Sequence, residues 1–391
     1  MEAVAPRNNH SATESGTGRV LIADDQPHIL AALEMLLHGS GFSTRVVTDP
    51  LRVLPALEAE HFDAVLMDLN YTRGIVAGRE GLDLVSQIRA VDSLLPVVVM
   101  TAWSSVDLAV EAMRRGASDF IQKPWENHEL LQKLQNQFAL ARAQRRAQRM
   151  RQEELRDARE IQDSLLPKTL PEVAGYEIAG MTQPLKFVGG DYYNVVRVSE
   201  RETVFCIADV AGKGMPAALL MSSLHAALKP LMSQRLGAAE LCQRLNHILC
   251  DFTPLGKFCS FFYGVLDHVD HRLTYCNAGH NPPLLTRADG TSSELGASGA
   301  VLGQFPHWVY EQNEVRLNGG DMLLLFTDGL VEACNENDEP FGEEGVRRIT
   351  RENLRCSAED LMRALIAGAS EHCGGHFQDD ASLIALKARN R

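Results

Sequence analysis

The sequence predicts an α/β domain with a doubly wound, five-stranded parallel sheet, joined by a long helix to an α+β domain. Three observations carry this expectation. From Arg19 to about residue 135, short β-branched or apolar runs alternate with helical patterns. That alternation requires a parallel sheet covered on both faces. From about Asn136 to Ser164 there is no Gly or Pro, and the composition favours helix until Pro167. After Pro171, strand-like runs follow one another and the helices fall in groups, the texture of an α+β domain.

Residues 1–17 are small, polar and aperiodic, and read as a disordered lead-in. The first domain spans 18–135. Its strands are RVLIAD, STRVVT, AVLMD, PVVVMT and DFIQ, with helical stretches between them and a further helix after Pro124. Ile29, Leu30, Leu33, Leu36 and Leu37 form one apolar helix face. Gly41 and Gly116 reverse the chain just past helix ends. The helical linker spans 136–168. Its seam (Leu134, Phe138, Ala141, Leu155, Ala158, Leu165) is interrupted by Arg and Gln. Two readings stand side by side: a solvated spacer, or a coiled coil that pairs two chains into a homodimer and passes on a signal. The last domain spans 169–391. Its strand-like runs include TVFCIAD, SFFYGVLD, RLTYCNAG, MLLLFTDG and ASLIALK, with helices near 216–232, 238–252 and 358–373. There is no internal repeat.

Composition narrows the function. The chain carries 38 Lys+Arg against 51 Asp+Glu, a net charge of -13. Such a surface repels nucleic acid and anionic lipid, so neither is an expected partner. The longest apolar run, Leu94 to Met100, is too short to span a membrane, and the N-terminus lacks a signal-peptide core. The expected location is cytoplasmic. All eight cysteines follow residue 205 and none forms a CxxC pair. His372, Cys373 and His376 surround two glycines and read as a loop, not as a zinc site.

Chemistry concentrates in two constellations. In the first domain, Asp24 and Asp25 end the first strand, Asp68 the third and Thr101 the fourth, and Lys123 follows the fifth. Ligands of doubly wound sheets collect at that edge. Three converging carboxylates suit a hard divalent cation. A lysine and a metal would offset the charge of a phosphoryl group on the central aspartate. The motifs LIADD, LMDL, VVMTA and DFIQKPW, in this order, closely resemble those of the two-component receiver domain. The resemblance covers residues 19 to about 135. It implies that Asp68 is the phosphoacceptor, that Asp24, Asp25 and Asp68 bind Mg²⁺, and that Thr101 and Lys123 read the phosphate. It also implies a cis Lys123–Pro124 bond and a sensor histidine kinase as partner. The loop after Asp68 departs from the family in being long.

In the second domain, aspartates recur beside glycines or at strand ends, in Gly189-Gly190-Asp191, Ala208-Asp209-Val210-Ala211-Gly212-Lys213-Gly214, Thr327-Asp328-Gly329 and Asp379-Asp380. Buried unpaired, they would be costly. Paired Mg²⁺ or Mn²⁺ ions would relieve that cost and clamp a phosphoryl group for in-line attack. If the run DDASLIAL is a strand from its first residue, Asp379 and Asp380 point to opposite faces and only one readily faces the metals. IQDSLLP, GGDYYN, ADVAGKGMPAALL, NAGHNPPLL, FTDGLVEA and DDASLI resemble the type-2C metal-dependent serine/threonine phosphatases, in their sporulation-stage-II-E (SpoIIE-type) branch. The resemblance covers roughly 155–388. It implies two packed antiparallel sheets flanked by helices, with the metals at one end. It places acidic ligands on Asp191, Asp209, Asp328 and Asp379, and a backbone carbonyl ligand on Val210. No histidine follows Asp209, so the general acid is unassigned. Lys213 is the best phosphate-clamp candidate, with a solvated loop lysine as the alternative. His280 reads as a turn-stabilising hydrogen bonder.

The function expected is a response regulator with phosphatase output. Phosphorylation of Asp68 would control hydrolysis of a phosphoserine or phosphothreonine protein. The family's usual substrate is a phosphorylated anti-sigma-factor antagonist. The alternative is a phosphorylation-controlled adaptor that binds a sigma-factor regulator without catalysis. A DNA-binding output would require a basic helix-turn-helix C-terminus, which this acidic chain does not show.

Overall fold

The computed structural model describes residues 18–71, 79–102, 106–185 and 187–390. The expected lead-in at 1–17 and most of the long loop after Asp68 lie outside the described residues. The chain divides into two compact units between Gln152 and Glu153.

The first unit holds strands β1 (Arg19–Ala23), β2 (Ser43–Val47), β3 (Ala64–Asp68), β4 (Val97–Ala102) and β5 (Asp119–Lys123). Its helices are α1 (Pro27–Gly39), α2 (Val53–Ala59), α3 (Arg79–Val91), α4 (Val106–Arg114) and the start of α5 (Asn127–Leu165). The five strands are parallel, in the order β2-β1-β3-β4-β5. Neighbouring residues on a strand point to opposite faces, and both faces are buried. Leu21, Met67 and Val99 pack with α2 and α3. Val20, Ile22, Leu66 and Val98 pack with α1 and with Leu130, Leu134 and Phe138 of α5. Phe138 stacks on Phe42 at 5.5 Å. Burial on α5 therefore continues through Ala141, past residue 135.

Helix α5 is a single element of 39 residues. The sequence suggested a helix after Pro124 and then a separate long one. No proline or glycine lies between Asn127 and Leu165 to part them. From Arg142 to Ile161 none of its residues is buried.

The second unit is a sandwich of two five-stranded antiparallel sheets. One has the order β13-β10-β9-β8-β7, the other β12-β11-β14-β15-β6. The strands are β6 (Tyr176–Gln183), β7 (Tyr192–Arg197), β8 (Glu202–Val210), β9 (Cys259–Asp267), β10 (Arg272–Ala278), β11 (Leu284–Thr286), β12 (Ser292–Glu294), β13 (Asn313–Arg316), β14 (Met322–Phe326) and β15 (Ala381–Ala388). Alternation again sorts the side chains. Phe205, Ile207 and Phe262 meet Leu323, Leu325 and Ile384 between the sheets. Cys206, Ala208 and Phe261 face outward against α6 (Met215–Met232) and α7 (Ala238–Cys250). On the other side, Leu324, Phe326 and Leu383 lie under α8 (Asp328–Val331), α9 (Gly342–Glu352) and α10 (Ala358–His372). No helix among the described residues is long and apolar enough to cross a membrane.

Candidate phosphoacceptor pocket and candidate metal centre

The parallel sheet of the first unit places its predicted residues at one edge. Asp68 closes β3 and Lys123 closes β5; Asp24 and Asp25 follow β1. Asp24 is fully buried, and Asp68 and Thr101 nearly so. Lys123 Nζ lies 2.7 Å from Asp24 Oδ2 and 2.8 Å from Asp68 Oδ2. One oxygen each from Asp24, Asp25 and Asp68 fall within 4.8 Å of one another, a spacing that fits one hard cation. Asp24 also accepts the Gln26 amide at 2.9 Å, which fixes the turn out of β1. Burial raises the Asp68 carboxyl above the ordinary range; Lys123 opposes that shift and Asp24 adds to it. The Lys123–Pro124 bond is cis.

In the second unit, the predicted carboxylates gather where four strands begin or end. Asp191 precedes β7, Asp209 lies in the last turn of pleat in β8, Asp328 follows β14, and Asp379 precedes β15. Antiparallel pairing brings these ends together. Tyr192 pairs with Ala208 in one sheet, and Phe326 pairs with Leu383 in the other. A polar stitch then joins the two sheets. Thr327 Oγ1 donates to Asp191 Oδ2 at 2.8 Å and accepts the Ser382 amide at 2.9 Å.

The electrostatics record the crowding. Burial, then the neighbouring Asp209 charge, holds the Asp191 carboxyl well above its usual range, against the Thr327 and Ser382 hydroxyls. Asp209 is pushed up to about 7 by burial and by Asp328, Asp379, Asp380 and Glu332. Asp328 is raised by burial, then by Glu332 and Asp379. Half-buried, mutually repelling carboxylates gathered beside the buried Asp191 suit hard cations such as Mg²⁺ or Mn²⁺. Among the described residues, the receiver triad alone brings three ligand atoms within 4.8 Å. The second cluster is the more open of the two.

Three glycines make this end of the sandwich tight. A Cβ on Gly190 would stand 2.7 Å from the Val210 carbonyl oxygen, the backbone ligand expected there. One on Gly189 would stand 1.7 Å from Asp380 Oδ2, and one on Gly329 2.0 Å from the Asp380 carbonyl oxygen.

Asp379, Asp380 and Lys213 behave differently from their sequence reading. Strand β15 begins at Ala381, so Asp379 and Asp380 precede it and strand alternation does not apply to them. Both charges act on Asp209. Asp380 is the more buried, accepting the Leu185 amide at 2.7 Å. Lys213 Nζ is tied to Asp379 Oδ2 at 2.7 Å and donates to the Gln378 carbonyl at 2.6 Å. His280 is buried against Ser260 Oγ at 2.8 Å, and its amide donates to Asn277 Oδ1 at 2.8 Å. Burial pushes the His280 ring down to about 4. Thr327, Glu332 and Lys257 were not singled out in the sequence. Thr327 and Glu332 flank Asp328 within FTDGLVEA, so proximity to that motif was their signal. Lys257, which donates to the Ala211 carbonyl at 3.0 Å, had none.

Two sheets with carboxylates at one shared end in one unit, and an acidic pocket closed by a lysine in the other, define a type-2C-like phosphatase carrying a receiver. Comparison with known proteins agrees. Residues 199–389 match the family described as stage II sporulation protein E (SpoIIE), and residues 20–135 match the response regulator receiver domain. The phosphoserine phosphatase RsbU of Bacillus subtilis is 31% identical over 238 residues, covering 60% of this chain and 70% of that protein. The phosphoserine phosphatase RsbP of the same organism is 24% identical over 203 residues, covering 51% of this chain and 49% of that protein. The SiaA-PP2C domain of Pseudomonas aeruginosa superposes with a TM-score of 0.55 at 23% identity, covering 62% of this chain and 98% of that domain. The chain belongs to the SpoIIE-type serine/threonine protein phosphatases and carries a response regulator receiver domain.

Proposed function

We propose that this chain is a cytoplasmic response regulator whose receiver (18–135), through the helical linker (136–168), controls phosphoprotein hydrolysis by the domain at 169–391. Asp68 takes the phosphoryl group, its carboxylate oxygen forming the new bond to phosphorus as the donor's bond breaks. The donor is a sensor histidine kinase. Lys123 offsets charge beside Asp68, and the Thr101 hydroxyl binds a phosphoryl oxygen. Asp24, Asp25 and Asp68 hold Mg²⁺.

In the output domain, Asp191, Asp209, Asp328, Asp379 and the Val210 carbonyl hold two Mg²⁺ or Mn²⁺ ions. Bound ions supply the positive charge that offsets the phosphoryl oxygens and activates water. Thr327 and Ser382 orient the Asp191 carboxylate. Lys213 keeps Asp379 in place, a role in holding the site rather than the phosphate-clamp role its position suggests. The substrate is a phosphoserine or phosphothreonine of a small regulatory protein, an anti-sigma-factor antagonist by analogy with the family.

The observation that carries this reading is the convergence of the four aspartates at one end of the sandwich, with Asp209 raised by its neighbours. The test is hydrolysis of p-nitrophenyl phosphate and of a phosphoserine protein by the purified chain, with and without Mn²⁺, and with and without acetyl phosphate. Metal-dependent turnover that changes with acetyl phosphate supports the reading. Absence of turnover at saturating Mn²⁺ would leave the adaptor reading in its place.

A further inference from the structure

Gln162 lies in the last turn of α5, and the residue is only 6% exposed. Its sequence neighbours Ile161 and Asp163 face solvent. The Gln162 amide engages one residue twice. Nε2 donates to the Gly189 carbonyl at 2.7 Å, and the Gly189 amide donates to Oε1 at 3.1 Å. One turn earlier, Arg159 Nη1 donates to the Phe187 carbonyl at 3.3 Å. The place where a Cβ of Gly189 would stand is taken by the Asp380 carboxylate, which also accepts the Leu185 amide. Two residues beyond Gly189 stands Asp191.

A buried amide is a costly choice where a leucine would pack, because both its polar atoms need partners. Here one glycine backbone satisfies both. The position of the helix end and the path of the Gly189 backbone are therefore mutually determined.

We propose that Gln162 is a positioning residue for Asp191: its two-point clamp on Gly189 ties divalent-metal affinity to the seating of the last turn of α5. This rests on Asp191 being a metal ligand. Gln162→Met conserves volume and removes both hydrogen bonds, leaving a buried N–H and C=O without their partner. The same clamp explains why an amide, rather than an apolar residue, occupies the buried face of IQDSLLP.

The test uses the full chain. Mn²⁺ binding is measured by titration calorimetry, p-nitrophenyl phosphate turnover is measured across Mn²⁺ concentrations, and amide exchange of residues 187–191 is followed in metal-free protein. For Gln162→Met the expected result is Mn²⁺ binding about tenfold weaker, as for loss of a group that orients a metal ligand. At saturating Mn²⁺, kcat returns to the wild-type value, and exchange at 187–191 rises. Unchanged Mn²⁺ affinity and exchange would overturn the proposal. So would a fall in kcat at every Mn²⁺ concentration with the same half-saturation point, the mark of a merely structural role. If the methionine variant does not fold, Gln162→Asn carries the same expectations, since it is one methylene too short to span both bonds. Asp191→Asn serves as control. If it binds Mn²⁺ like the wild type, the metal-ligand reading itself falls, a result distinct from failure of the Gln162 variants.

Discussion

At the scale of single residues, the candidate metal centre is a balance between carboxylates that repel and cations that would reconcile them. Asp328→Asn removes one negative charge and one ligand oxygen. The expected outcome is loss of Mn²⁺-dependent p-nitrophenyl phosphate hydrolysis by at least about a hundredfold, with an unchanged circular dichroism spectrum. The raised Asp209 carboxyl adds a pH signature. In metal-free protein the folded state holds that proton up to about 7, whereas the unfolded chain releases it near its ordinary value of 3.8. Between those values the folded state binds more protons, so its stability falls as pH rises. Bound metal competes with the same proton, so Mn²⁺ affinity rises with pH through about 7. Melting curves from pH 4 to 8, with and without Mn²⁺, check both signs. Asp24, Asp68, Asp209 and Asp328 were legible because short motifs announce them at the ends of apolar runs. Thr327 and Gln162 were not, since their roles arise from partners 136 and 27 residues away.

Elements show a similar division. Strands β8, β9, β10, β14 and β15 are rich in buried apolar residues, and each was readable as such. Strand β6 forms one edge of its sheet and is mostly half-buried, so its sequence carries no sustained apolar run. Strands β11 and β12 have three residues each and β13 has four, too few for a pattern to emerge. Helix α9 opens on Gly-Glu-Glu-Gly, which reads as a turn. Helix α5 raises its own question, because a continuous helix keeps a fixed rotational phase along its length. Inserting one residue near Gln148 turns everything beyond it by about 100°, whereas seven residues restore the phase to within about 20°. The one-residue insertion is expected to abolish the response of phosphatase activity to acetyl phosphate while basal turnover stays within about twofold. The seven-residue insertion is expected to retain the response. Activity assays on the two insertions decide whether rotational phase matters.

For the whole molecule, the sequence made both folds and the order of the domains legible, because each domain carries several motifs in the expected order. It left the joints illegible. The packing of Phe138 in the first unit and the clamp of Gln162 in the second both depend on tertiary contacts that no local pattern encodes. If the receiver governs the output, the two activities separate cleanly by mutation. Asp68→Ala is expected to lose labelling by acetyl phosphate and to leave turnover at its unstimulated level. Phosphate-affinity gel shifts and a turnover assay, run side by side, check this.

The crowding around Gly189, Gly190 and Gly329 reaches beyond this one sequence. Every other amino acid brings a carbon atom within 2.7 Å of an oxygen, closer than the two can stand without a shift. A saturation library selected for activity should therefore return blank columns at these three positions. At each of the three, it is the missing side chain that lets the neighbouring oxygen sit where it does.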